Sequence, residues 1–122
     1  EEEVKKYAGV CIDLSHLEIT KYQNQKVYEK NIEVIEKFNC GCNHISAYRI
    51  GSHESPDNIF NSSHFYTDLK QFNYLKNFPN RYYSNILALE LENSIQEQIQ
   101  AREYIHKLLK DNWLIVFQPQ KR

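Results

Sequence analysis

Apolar and polar positions follow one another in blocks along this chain, and the period of each block predicts an element. Ala8-Gly9-Val10-Cys11-Ile12-Asp13 is short, mostly apolar and bounded by charge. That is the pattern of a strand buried on both faces, as in a parallel sheet. Further on, Tyr28, Ile32, Ile35 and Phe38 recur at helical spacing, and Val27 and Val34 widen the stripe. Lys26, Glu29, Lys30, Glu33, Glu36 and Lys37 supply the wet side, and Asn39 and Gly41 are expected to stop this helix.

Cys42 through Tyr48 reads as a second strand, shorter and more polar than the first. Gly51 through Ser63 is a polar loop of a length that is uncommon without a function. Asp68 to Phe78 reads as a helix with Leu69, Phe72 and Leu75 on one face, ended by Pro79 and Asn80. Asn85 to Glu92 is the clearest strand. Ser94 is a natural N-cap, and Glu97 completes a capping box for the helix that carries Ile95, Ile99, Tyr104 or Ile105, Leu108 and Leu109. Trp113 to Phe117 is either a fourth strand or an apolar tail. Alternation of strand and helix implies parallel strands joined by right-handed crossovers. The expected organisation is a run of βα units over residues 8–109 and an apolar strand or tail over 110–122.

Composition narrows the class. The chain has 122 residues, 41% apolar and 25% charged, with three Gly and three Pro, which excludes collagen-like, low-complexity and disordered types. No apolar run, Leu114 to Phe117 included, comes near the length of a membrane span, and no signal peptide is visible. The chain opens Glu1-Glu2-Glu3 without Met, so a processed protein or a piece of a longer one is expected. The net charge of −1, with acidic and basic residues interspersed, gives no electrostatic footprint for nucleic acid and no polybasic membrane patch. Cys11, Cys40 and Cys42 form an odd set. Free structural thiols in a reducing, cytoplasmic compartment are the simplest expectation.

The candidate chemistry lies at the strand ends. The first strand ends at Asp13, with His16 three residues on; the second carries His44, with Arg49 just beyond; the third ends at Glu90 and Glu92. In parallel α/β folds, ligands bind at the C-terminal ends of the strands. One Asp, one His and one Glu would converge there as an O,N,O donor set suited to zinc or manganese. Strand parity agrees: Cys11 with Asp13, Cys42 with His44, and Ala88 with Glu90 and Glu92 each share a face. Strand ends also carry polar residues simply because they emerge into solvent, so the ordered set of three makes the argument.

Gly9-Val10-Cys11-Ile12-Asp13-Leu14-Ser15-His16, then His44-Ile45-Ser46, then Leu87-Ala88-Leu89-Glu90 resembles the last third of a xylose-isomerase-like TIM barrel. That superfamily includes metal-dependent sugar isomerases and epimerases and the endonuclease IV group of abasic-site nucleases. Its members read D-x-x-H at the end of strand six, His at strand seven and Glu at strand eight. The resemblance spans roughly residues 8–109 and implies the C-terminal part of a (β/α)8 barrel that is not closed within this chain. It implies that Asp13, His44 and Glu90 are ligands of a divalent metal, zinc or manganese. Glu90 would also be the catalytic carboxylate, and His16 and Arg49 would contact substrate. Independently of the resemblance, the loop residue His64 is a candidate to line the site mouth and meet substrate, while His53 in the same loop reads as solvated.

Two departures matter. The family's strand-five Glu, a ligand and acid/base partner, is not supplied before residue 8. The nuclease branch's Asp-x-His reads Ser62-Ser63-His64 here, which favours the isomerase branch. Glu92 could take the place of Glu90. The function expected is a metal-dependent isomerase or epimerase acting on a small carbohydrate, with little activity from this chain alone. The alternatives are a metal-dependent DNA repair nuclease and a non-catalytic partial barrel with an interaction or structural role. Closing the barrel would take an N-terminal half or a second copy of the chain.

Overall fold

A computed structural model of the chain describes residues 9–50, 60–110 and 114–117. It is a mixed α/β structure built on a four-stranded sheet. The elements in order are β1 (Gly9–Asp13), α1 (Leu14–Gln23), α2 (Gln25–Lys37), β2 (Asn39–Ile45), β3 (Ala47–Ile50) and β4 (Phe60–Ser63). A 3-10 helix (Leu69–Asn77) and a short 3-10 turn (Asn80–Tyr82) follow, then β5 (Ile86–Leu89), α3 (Ile95–Leu109) and β6 (Leu114–Phe117). The main sheet has the order β1-β2-β5-β6, and each neighbouring pair is parallel. β3 and β4 form a separate antiparallel pair. Residues 51–59 of the sequence-predicted loop, His53 among them, lie outside the described residues, as does Trp113.

The parallel alternation expected from the sequence is present, and Leu114–Phe117 is a strand of the main sheet rather than a tail. Two expectations are corrected. Residues 42–48 are not one strand. The chain turns at Ser46, so β2 stays in the parallel sheet and β3 leaves it to pair with β4. The helix expected after Asp68 is a 3-10 helix. Its apolar residues Leu69, Phe72 and Leu75 recur every third position, which is the 3-10 period. The capping box of Ser94 and Glu97 is formed, and a second one joins Asp68 to Gln71.

One face of the sheet carries the core. Ile12, Ile45, Leu87, Leu89 and Ile115 meet Leu14 and Leu17 of α1, Phe72 and Leu75 of the 3-10 helix, and Ala101 and Ile105 of α3 in a single apolar cluster. Removing this apolar surface from water is the main stabilising term. Val27 and Val34, expected on the buried stripe of α2, are exposed. Tyr28, Ile32 and Ile35 alone pack against the core from that helix. The opposite sheet face is open: Cys11, Ile86, Leu114 and Val116 are all exposed along it.

The register of β1 against β2 sets which side chains share that open face. Gly9 pairs with Asn39 and Val10 with Cys40, but Cys11 pairs with Cys42 and Asp13 with His44. Gly41 is skipped. Without this one-residue shift Cys11 would face Gly41, and His44 would no longer stand opposite Asp13. The shift rests on close backbone packing, because a Cβ on Gly9 would meet Asn39 O at 3.0 Å and Gly41 Cα at 3.2 Å. Gly9→Ala is therefore expected to destabilise the fold by about 1–3 kcal/mol, read as a lower urea midpoint at unchanged slope.

Candidate functional site

Asp13, His44 and Glu90 come from the C-terminal ends of β1, β2 and β5, three neighbours in the parallel sheet. Each is half-buried, and one ligand atom from each lies within 4.8 Å of the other two. The Glu90 N–H donates to Ile45 O at 2.8 Å, which carries the β2–β5 ladder one residue beyond the strand and fixes the Glu90 backbone. Glu90 Oε1 is 2.8 Å from His44 Nδ1, so these two neighbouring groups already touch.

Asp13 has two tasks. It is the N-cap of α1, with Oδ1 accepting from the His16 N–H at 3.0 Å. Such a cap satisfies an amide that the first turn leaves open. Ser15 Oγ also donates to Oδ1 at 3.0 Å, and Oδ2 is 3.0 Å from His16 Nδ1. An ionised carboxylate offers about four lone-pair sites, so capping the helix leaves capacity for a further ligand.

Behind Asp13 lies a polar chain that the sequence reading missed. Ser15 and Ser46, both buried, share a hydroxyl–hydroxyl bond at 2.5 Å. The Tyr74 hydroxyl donates to Ser46 O at 2.7 Å. Burial holds the Tyr74 phenol well above its usual pKa, with the charge of Asp13 adding to the effect. It therefore stays a neutral donor. The only local signal for this chain is the Asp13-Leu14-Ser15 turn. Glu18, a second carboxyl missed from sequence, is buried on α1. Together with Tyr22 it adds to the effect of burial in pushing the Tyr48 phenol up to about 12.

The expected substrate residues separate. His64 borders the group: its Nε2 is 3.7 Å from Glu90 Oε2 and its Nδ1 3.9 Å from Glu92 Oε1. His16 stands beside Asp13 with its ring mostly exposed. Both also have backbone ties, His16 through the cap and His64 through its carbonyl, which accepts from Glu92 N–H at 2.6 Å. Arg49 stands on β3 opposite Asn61, outside the main sheet. Glu92 is exposed beyond the end of β5, so Glu90 rather than Glu92 joins Asp13 and His44. Asp13 and His16 also line a groove of about 340 Å3 along β1, walled by Thr20 of α1 and Asn31, Val34 and Ile35 of α2.

The thiols differ from expectation. Cys11 and Cys42 are joined as a disulfide across β1 and β2, with Cα atoms 4.6 Å apart. Cys40 alone keeps a free thiol. Its side chain turns to the core face, where burial raises its pKa and Cys42 O and Asn43 Oδ1 accept its weak hydrogen bonds. Among the described residues no helix is long and apolar enough to cross a membrane. No family model matches this chain, and no curated protein or solved structure matches it.

Proposed function

We propose that this chain is the C-terminal part of a (β/α)8 barrel of the metal-dependent sugar isomerase or epimerase class. The observation that carries the reading is the gathering of Asp13, His44 and Glu90 at three adjacent parallel strand ends. Two carboxylates and an imidazole, half-buried and within 4.8 Å, fit zinc or manganese. The open sheet face supports the barrel. Parallel sheets are covered on both sides, and here Ile86, Leu114 and Val116 remain 48%, 59% and 38% exposed. An N-terminal barrel half, or a second copy of the chain, would cover them.

A divalent metal at this site would supply Lewis-acid stabilisation of a substrate oxygen as charge develops on it. Glu90 is the carboxylate placed to move a proton at the carbon beside that oxygen. His64 bounds the site next to Glu90, and His16 bounds it next to Asp13, where a carbohydrate hydroxyl would lie. Arg49 would reach the substrate only from the smaller sheet. The reaction needs a second carboxylate on the opposite side of the substrate. None joins the three among the described residues, so the chain alone is expected to bind metal and turn over little. A cytoplasmic setting belongs to this reading, and there the Cys11–Cys42 bond would be a transient one.

The test is calorimetric titration of the oxidised chain with zinc and manganese, followed by NMR of solvent-deuterium exchange beside the carbonyl of simple ketoses, with and without the upstream barrel half. The expected result is metal binding by the chain, lost in Asp13→Ala, with exchange only in the completed barrel. Binding that survives Asp13→Ala overturns the metal assignment. Abasic-site cleavage by the completed barrel would replace the isomerase reading with the nuclease one. A barrel that neither binds metal nor exchanges protons would be a structural module.

A further inference from the structure

The same open face holds a second donor set that shares only His44 with the proposed isomerase site. One ligand atom from each of Cys11, Cys42 and His44 lies within 4.8 Å of the others. Cys11 pairs with Cys42 and, two residues on, Asp13 pairs with His44, so the thiol pair precedes the level of the imidazole and the Asp13 carboxylate, and Glu90 lies two residues beyond Ala88, the β5 partner of His44. His44 stands between the two sets and belongs to both. We propose that Cys11, Cys42 and His44 form a redox-gated site for a soft divalent metal such as zinc, closed by the Cys11–Cys42 disulfide and opened by a dithiol reductant.

The chemistry balances without a further reactant. A thiolate of the dithiol attacks one sulfur of the bond, the S–S bond breaks, and a mixed disulfide forms. The second thiol of the reductant then displaces the protein sulfur. The reductant leaves as its own disulfide, having given two electrons, and Cys11 and Cys42 remain as thiols. Metal binding displaces one proton from each thiol. Cys11 is exposed, so the bond is open to attack. Neighbouring sulfurs in a tetrahedral zinc shell sit about 3.8 Å apart, given Zn–S bonds near 2.3 Å. Cα atoms 4.6 Å apart on paired strands reach that spacing by side-chain rotation alone. Two thiolates and one imidazole leave a fourth position for water, as in open zinc sites.

The gate has a consequence for His44, whose neutral ring has one free lone pair and so ligates a metal in one set at a time. Reduction therefore sets the thiol site in competition with the Asp13–His44–Glu90 site for one imidazole. Exchange with the disulfide form of the reductant, which takes up two electrons and leaves as the dithiol, re-forms the Cys11–Cys42 bond and returns His44 to the carboxylates.

Cobalt(II) titration of the full chain separates the cases, because thiolate ligands give a near-ultraviolet charge-transfer absorption that carboxylates and imidazole do not. The background is Cys40→Ser, so that the remaining thiol does not contribute. Reduced protein is expected to develop the thiolate band to an equimolar end point, and oxidised protein none. Reoxidation should abolish the band, a readout that needs no variant of the site. Cys42→Ser should lose the band and His44→Ala should weaken cobalt binding by at least about tenfold. The double variant Asp13→Asn with Glu90→Gln should keep the band, which separates failure here from failure of the isomerase reading. Cobalt binding by reduced protein without the band would put the metal on the carboxylates and overturn the proposal. So would loss of the far-ultraviolet circular dichroism on reduction.

Discussion

Glu90→Gln is expected to weaken zinc or manganese binding to the oxidised chain by more than about a hundredfold while leaving thermal unfolding close to wild type. Removing a partner that only orients a metal ligand costs 10–100-fold, and in the proposed site Glu90 is a ligand itself. The substitution keeps the volume and one oxygen. The 2.8 Å contact with His44 Nδ1 can therefore persist, and the Glu90 N–H still bonds Ile45 O. Only the charge is lost. Isothermal titration of oxidised protein reads the affinity, and the disulfide keeps Cys11 and Cys42 out of the comparison. Asp13→Asn is the companion variant, because Asn caps a helix about as well as Asp and α1 should survive it. Affinities that stay within threefold of wild type in both variants would remove the carboxylates from the metal site.

Asn43→Leu should produce the largest loss of stability of any single change considered. Asn43 is fully buried on the core face of β2, yet it is polar. Its Nδ2 donates to Tyr82 O at 2.8 Å, and its Oδ1 accepts from Ser84 N–H at 2.6 Å. One side chain thus ties the segment before β5 to the middle of the sheet. Leu fills the same space but leaves a buried carbonyl and a buried amide unpaired. At about 1–3 kcal/mol each, the cost is roughly 2–6 kcal/mol. Against a typical stability of about 5–15 kcal/mol, that is a large fraction of the total. Urea unfolding followed by circular dichroism measures it. A change under about 1 kcal/mol would mean that the two backbone groups find other partners.

The sequence made the strands and the metal-ligand candidates legible for a simple reason. Buried parallel strands are apolar runs that end where the chain meets solvent, so β1 and β5 and their terminal Asp13 and Glu90 could be read directly. The Ser94–Glu97 box was legible because its signal is local. α1 was not. Its buried positions mix Leu14, Leu17 and Ile19 with Ser15 and Glu18, so no apolar stripe marks the helix. The polar members are there for hydrogen bonds and charge near the site, which periodicity does not register. The departure of β3 from the parallel sheet depends on β4, 10 or more residues away in sequence, and no local pattern announces a distant partner. The Cys11–Cys42 bond was likewise invisible, because it depends on a register that only the folded sheet defines.

That register bears on how relatives of this protein would be recognised. Gly41 occupies a place in the sequence but none in the β1–β2 ladder. A comparison that matches strands position by position from the start of β2 falls one residue out of step after Cys40, and sets Asn43 where a ligand is sought. A kinsman lacking the extra glycine would show its histidine one position earlier. The gap belongs between Cys40 and Cys42, and a search that permits an insertion inside that strand aligns the imidazole correctly.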